Sequence, residues 1–276
     1  MSAMFHEAYS FNQPIGAWDT SQVRDMNCMF YGAESFNQPI GAWDTSKVKN
    51  MERMFYQARS FNHPIGSWDT GQVVTMASMF REATAFNQPI GTWDTSKVKY
   101  MCDMFREATY FNQPIGTWDT SSVEDMSSMF REALSFNQPI GAWDTHNVIY
   151  MEYMYMEAIS FNQPIGSWNT SEVINMDSMF YRAVSFNQPI GSWDVRRVTD
   201  METMFYDAYS FHQDLSSWTI HPDCLMDDWM KGALLDYYQS RREDTLASTK
   251  QFKEELIATA WHPKRVMDWC FDGEME

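Results

Sequence analysis

Carboxylates recur at a fixed interval, at Asp19, Asp44, Asp69, Asp94, Asp119, Asp144 and Asp194. Stacked about 5 Å apart they would repel one another unless neutralised, so calcium binding or acid/base work is the chemistry they offer. Asn169 takes one place in the row without a charge but with the same kind of oxygen acceptor, as a helix-capping residue can. Capping is therefore the reading adopted, and no metal is assigned. His221, Cys224, His262 and Cys270 are zinc-ligand types, but HxxC with H-x7-C is a loose spacing. Each has an ordinary role in a terminal segment. Cys28 and Cys102 have no histidine in register, and the sequence shows neither a Ser-His-Asp set nor a glycine-rich phosphate loop. The glycines from Gly16 to Gly191 read as turn residues. These residues point to a non-enzyme with no cofactor.

What varies between otherwise matching segments is more informative. The residue after Phe30 and its equivalents reads Tyr31, Tyr56, Arg81, Arg106, Arg131, Met156, Tyr181 and Tyr206. Tyrosine and arginine dominate interface energetics, so Tyr31, Tyr56, Arg81, Arg106, Arg131, Tyr181 and Tyr206 are the candidate partner-binding residues. The pairs Arg81-Glu82, Arg106-Glu107 and Arg131-Glu132 follow one stripe; a solvated charged face is the plain alternative. The threonine row from Thr20 to Thr170 has one threonine per repeat, an adjacent aspartate and an end at Val195, a poor match to an ice-binding face.

The elements that position these residues follow from a 25-residue period. Tryptophan falls at 18, 43, 68, 93, 118, 143, 168, 193 and 218, and methionine at 1 and every twenty-fifth residue through Met226. Such a period signals stacked repeats and is too short for a propeller blade of roughly 40 residues. Within "TSKVKNMERMFYQA" the apolar residues Val48, Met51, Met54, Phe55 and Ala58 follow a helical stripe. Asp44, Thr45 and Ser46 precede it as capping residues. "FNQPIGAWDT" leaves room for a turn at Pro39 and Gly41 and one short strand, over residues 40–45 or nearer 48–51.

The expected fold is α/β: a leucine-rich-repeat-like right-handed solenoid of about nine coils, with a short strand and a short helix in each. Strands spaced about 4.8 Å and helices spaced roughly 8 to 10 Å would curve the stack. Tryptophan, phenylalanine and methionine would line its spine, because methionine fills gaps and its sulfur packs on aromatic rings. The asparagines from Asn12 to Asn187 are expected as a buried ladder that bonds backbone groups of the coils.

The chain of 276 residues is 44% hydrophobic and 16% aromatic, within the range of ordered proteins. Its net charge of −17 argues against non-specific nucleic-acid binding. No apolar run approaches 18 residues, which argues against membrane insertion. Residues 1–20 lack a basic start and an apolar block, so an intracellular chain with reduced cysteines is expected. Met1 already sits in the methionine register, so either an earlier portion precedes it or something else covers the first coil.

The phrase F-N-Q-P-I-G-x-W-D-T-S-x-V-x-x-M-x-x-M-F-x-x-A resembles the tandem repeats of BspA-like leucine-rich-repeat surface proteins, over residues 1–233. The resemblance implies adhesion or protein binding rather than catalysis. From residue 234 the repeat ends, and residues 234–276 are expected to form a helical C-terminal cap, with a helix over 246–260. "AWHPKRVMDWCFD" within it resembles closing segments of proteins of large DNA viruses of protists. The sequence thus predicts a protein-interaction or assembly module with protein partners such as capsid subunits. A structural component of a virus particle and an exported surface adhesin are the alternatives.

Overall fold

A computed structural model describes residues 1–233. Successive repeats lie one above the next: parallel bridges join Asp25 to Asn50, Asn50 to Thr75, and so on to Asp200 with Leu225. The α/β expectation is corrected, because among the described residues the coils contain no α-helical run and no strand longer than a single bridge residue. The leucine-rich-repeat reading, with a strand and a helix in each coil, does not hold. The bridge falls at Asn50, within the second of the two registers considered for the strand. The expected C-terminal cap lies outside the described residues.

The reason is visible in the backbone of residues 51–58. Met51, Arg53, Phe55 and Gln57 turn their N–H groups to the next coil and donate to Thr75, Ala77, Met79 and Arg81 at 2.8 to 3.1 Å. The alternate amides of Met54, Tyr56 and Ala58 instead close turns onto the carbonyls of Met51, Arg53 and Phe55 at 3.0 to 3.2 Å. A helix sends every N–H to the carbonyl four residues back. Here Arg53 and Gln57 have φ of 52° and 57°, left-handed values that interrupt any helical run. The equivalent pair recurs in each coil, as Ser78 and Glu82 and as Asp103 and Glu107. The stack is therefore held along its axis by peptide hydrogen bonds and across it by tight turns.

These turns still bury the apolar stripe. Val48, Met51, Met54, Phe55, Ala58, Phe61 and Ile65 are all fully buried, and the same files continue from coil to coil. Phe55 lies 4.1 Å from Phe61 within its coil and 5.5 Å from Phe80 in the next. Trp68 and Trp93 stack at 6.4 Å and 3°. Each buried indole also donates to a carbonyl in the preceding coil, as Trp93 does to Ile65 at 3.1 Å. The glycines of the Gly41 file stand in turns as expected, Trp43 N donating to the Ile40 carbonyl at 3.1 Å, and the neighbouring coil adds a second demand. A Cβ on Gly41 would lie 2.6 Å from the Pro64 carbonyl oxygen, so close approach of the next coil, not a left-handed turn, requires glycine there.

Candidate functional site

The hydrogen-bonding files account for most of the polar residues that repeat. Asp44 accepts from Ser46 N at 3.0 Å and from Ser46 Oγ at 2.6 Å, so the aspartates close local turns; no coil has a helix for them to cap. The Ser46 side chain, then its backbone N–H, holds the Asp44 carboxyl below its ordinary pKa, and Ser96 does the same for Asp94. The threonines are buried; Thr45 Oγ1 donates to the Asp69 carbonyl at 2.9 Å.

Asn37 N donates to Asn12 Oδ1 at 2.9 Å, and Gln38 Nε2 donates to the same oxygen at 3.0 Å. The asparagine ladder forms as expected, but its burial is corrected: Asn37 and Asn62 are exposed and Asn87 and Asn112 half-buried. The side chain lies along the turn surface, where its oxygen meets the next coil's amide.

Among the described residues the nucleophile and metal candidates stand in the following settings. Burial pushes the Cys102 and Cys224 thiols up to about 12 and raises that of Cys28. His221 Nδ1 accepts from Asp223 N, closing a turn. His262 and Cys270 lie outside the described residues. Among the described residues, no group of three or more His, Cys, Asp or Glu is placed to hold a metal ion.

The variable residues do come together. The carbonyl of each bonds to the coil before it, as Gly32 N donates to Tyr56 O at 2.8 Å and Gln57 N to Arg81 O at 2.8 Å. That fixes one side chain per coil in a single half-buried file. His6, Tyr31 and Tyr56 stack at 4.5 Å intervals. The Arg81 guanidinium caps Tyr56 at 5.0 Å, and burial raises the Tyr56 pKa. Arg106 reaches Asp103 at 3.3 Å and Glu107 at 3.2 Å, and Arg131 reaches Glu132 at 3.2 Å. Met156 follows, and then Tyr181 and Tyr206 stack at 5.0 Å. The Arg-Glu stripe expected on outer helices thus lies on turns instead.

One feature adjoining this file escaped the sequence reading. Arg59, Glu82, Thr84, Glu107, Thr109, Glu132 and Leu134 line an open groove of about 310 Å³. Its signal was the unbroken run Glu82, Glu107, Glu132 and Glu157 at one register position.

A family model described as Mycoplasma protein of unknown function, DUF285, matches at residues 1–88, 63–157 and 139–237. The chain belongs to this family. The overlapping matches run through the repeats and support the tandem-repeat, surface-protein resemblance at that coarse level. They stop at residue 237, so the viral likeness of the closing segment receives no support from them. No curated protein matches the chain. The family's description assigns no activity, and the geometry of the variable file carries the functional reading.

Proposed function

We propose that this chain is a non-enzymatic protein-binding module, with Tyr31, Tyr56, Arg81, Arg106, Arg131, Tyr181 and Tyr206 as its contact file. What supports the reading is one contrast. Interior residues repeat almost without change, whereas this outward file changes character along the stack from tyrosine to arginine and back to tyrosine. Side chains already stacked or ion-paired lose less rotamer freedom on binding than free ones. The partner is a protein, as the acidic surface and the tyrosine-arginine file favour, and no cofactor takes part.

Two settings suit such a module, an exported adhesin and a capsid-associated component. Surface labelling and cofractionation with virions separate these from an intracellular role. The binding reading itself is tested by pull-down with purified chain and its Arg106→Ala/Arg131→Ala variant. Retention of a saturable partner should fall at least about tenfold, since arginine is enriched among the few interface residues whose truncation costs about 2 kcal/mol or more. The thermal midpoint should stay in place. Unchanged retention by a folded variant would remove this file from the interface.

A further inference from the structure

The last described coil has the backbone of the others without their neighbour. Asp228 and Gly232 have φ of 51° and 84°, and Lys231 N and Ala233 N close turns onto the carbonyls of Asp228 and Met230 at 3.3 and 3.2 Å. In the coil before, Met201, Thr203, Phe205 and Asp207 donate their amides to the carbonyls of Leu225, Asp227, Trp229 and Lys231 at 2.6 to 2.9 Å. One coil on, the amides of Met226, Asp228, Met230 and Gly232 meet no acceptor among the described residues. Ile220, Met226, Trp229 and Met230 are only partly buried there, whereas Val195, Met201, Met204 and Phe205 are exposed by 1% or less. A row of aimed amides beside unfinished apolar surface calls for one more turn segment of the same kind.

The sequence holds one beyond the described residues. The run "MDWCFDG", residues 267–273, repeats the pattern of "MNCMFYG", residues 26–32. Met267 and Phe271 match Met26 and Phe30, and Cys270 stands for Met29 as a small apolar residue. Gly273 matches Gly32 and Gly232, whose φ of 67° and 84° is left-handed. The interval from Met226 to Met267 exceeds the 25 residues between Met201 and Met226, which hides the segment from a reading at fixed period. The chain between Ala233 and Val266 is longer than the stretch from Ala208 to Leu225 that carries the preceding coil round, so it can return across one rung of about 4.8 Å.

We infer that residues 266–273 dock on the last described coil as one further, displaced turn segment. Val266, Asp268, Cys270 and Asp272 then offer their carbonyls to the amides of Met226, Asp228, Met230 and Gly232, in the register that the other coils use. Phe271 continues the phenylalanine file over Met230, and Cys270 covers Trp229. Trp269 takes a position outside the core, that of Arg53 and Tyr153. The stack is thereby closed by its own chain, and its last amides are withheld from end-on pairing with another molecule. This surface is the end of the stack, separate from the tyrosine-arginine file, and the readout below does not involve a foreign partner.

The test is amide hydrogen exchange, followed by NMR, in the full chain and two single variants. The amides of Met226, Asp228, Met230 and Gly232 should be protected in the wild type. Phe271→Ala should speed their exchange at least about tenfold, whereas Trp269→Ala should leave it within about twofold, although tryptophan is the larger apolar residue. Unchanged exchange at Phe105 and Phe130, whose amides bond to the next coil, confirms that each variant remains folded. Free exchange at the four amides in the wild type overturns the inference. So does protection that survives Phe271→Ala, or that is lost equally with Trp269→Ala. Protection that rises with chain concentration between about 1 and about 100 µM overturns it in favour of end-on contact between copies.

Discussion

Trp118 Nε1 donates to the carbonyl oxygen of Ile90 at 3.1 Å, reaching back into the preceding coil from inside the core. The same carbonyl accepts from Trp93 N at 3.2 Å, so the indole supplies the second of its two bonds. Packing and polar pairing can therefore be separated at this residue. Trp118→Phe should cost about 1 kcal/mol through the lost hydrogen bond, together with a small loss of area. Trp118→Ala should cost about 3 to 5 kcal/mol by opening a cavity. Urea midpoints at constant m-value provide the measurement. Equal losses for the two variants would mean that the hydrogen bond, not the buried ring, dominates.

Tyr155 replaces phenylalanine in its file, 5.7 Å from Phe130 and 4.0 Å from Phe161. Its ring is fully buried and its hydroxyl has no hydrogen-bond partner. An unsatisfied buried hydroxyl costs about 1 to 3 kcal/mol. Tyr155→Phe should therefore stabilise the chain by a comparable amount, read as a rise in thermal midpoint. A fall in the midpoint would show that the hydroxyl has a partner.

Two sets of carboxyls predict a stability curve with opposed arms. Burial raises the pKa of Glu152 and Asp200, so their charged forms weigh against folding at neutral pH. As pH falls through those raised values the penalty is relieved and stability rises. Asp44, Asp94, Asp144 and Asp194 are lowered by hydrogen bonds from the residue two positions on. Their contribution is present above the ordinary aspartate value, about 3.9, and is lost as pH falls through the lowered ones. Denaturant midpoints should rise as pH falls from neutral through the raised values of Glu152 and Asp200, and fall again below the ordinary aspartate range. Glu152→Gln should flatten the rising arm. A monotonic decline from neutral pH would contradict the burial of these acids.

The files themselves were legible before any coordinates, because Trp68, Phe61, Met51 and Val48 repeat at one interval and each proved buried. The tyrosine-arginine file was legible for the opposite reason, since its position varies. The helix was not. Successive turns can space Val48, Met51, Met54 and Phe55 on one side much as a helix does, and Arg53, Gln57 and Glu82 give no hint in their side chains that their φ is positive. Gly32 and Gly232 did carry the hint. They share a register with Gln57 and Glu82 in the middle of the supposed helix, and their φ is 67° and 84°. The asparagines were misplaced because a polar ladder was assumed to lie in the core, whereas the turn keeps it at the surface.

Two glycines five residues apart should respond to substitution in opposite directions. A Cβ on Gly66 would lie 2.6 Å from the carbonyl oxygen of Pro89, a backbone atom of the next coil that cannot move without lifting the whole rung. Gly66→Ala should therefore destabilise by roughly 1 to 3 kcal/mol, the range for overpacking. Gly71 is less constrained, since a Cβ there would meet first the Asp94 Oδ2 side-chain atom, at 3.0 Å. Serine occupies the matching place at Ser46 and Ser96, where its Oγ donates to the aspartate two residues before at 2.6 Å. Gly71→Ser should give Asp69 the same donor and reduce the freedom of the unfolded chain, stabilising by about 0.5 to 1.5 kcal/mol. Both variants are compared by urea denaturation, with hydrogen exchange at Met76 and Met101 to locate the effect. If Gly66→Ala proved neutral, the coils would be able to separate where Pro89 meets Gly66, and close coil contact would not be what selects glycine there.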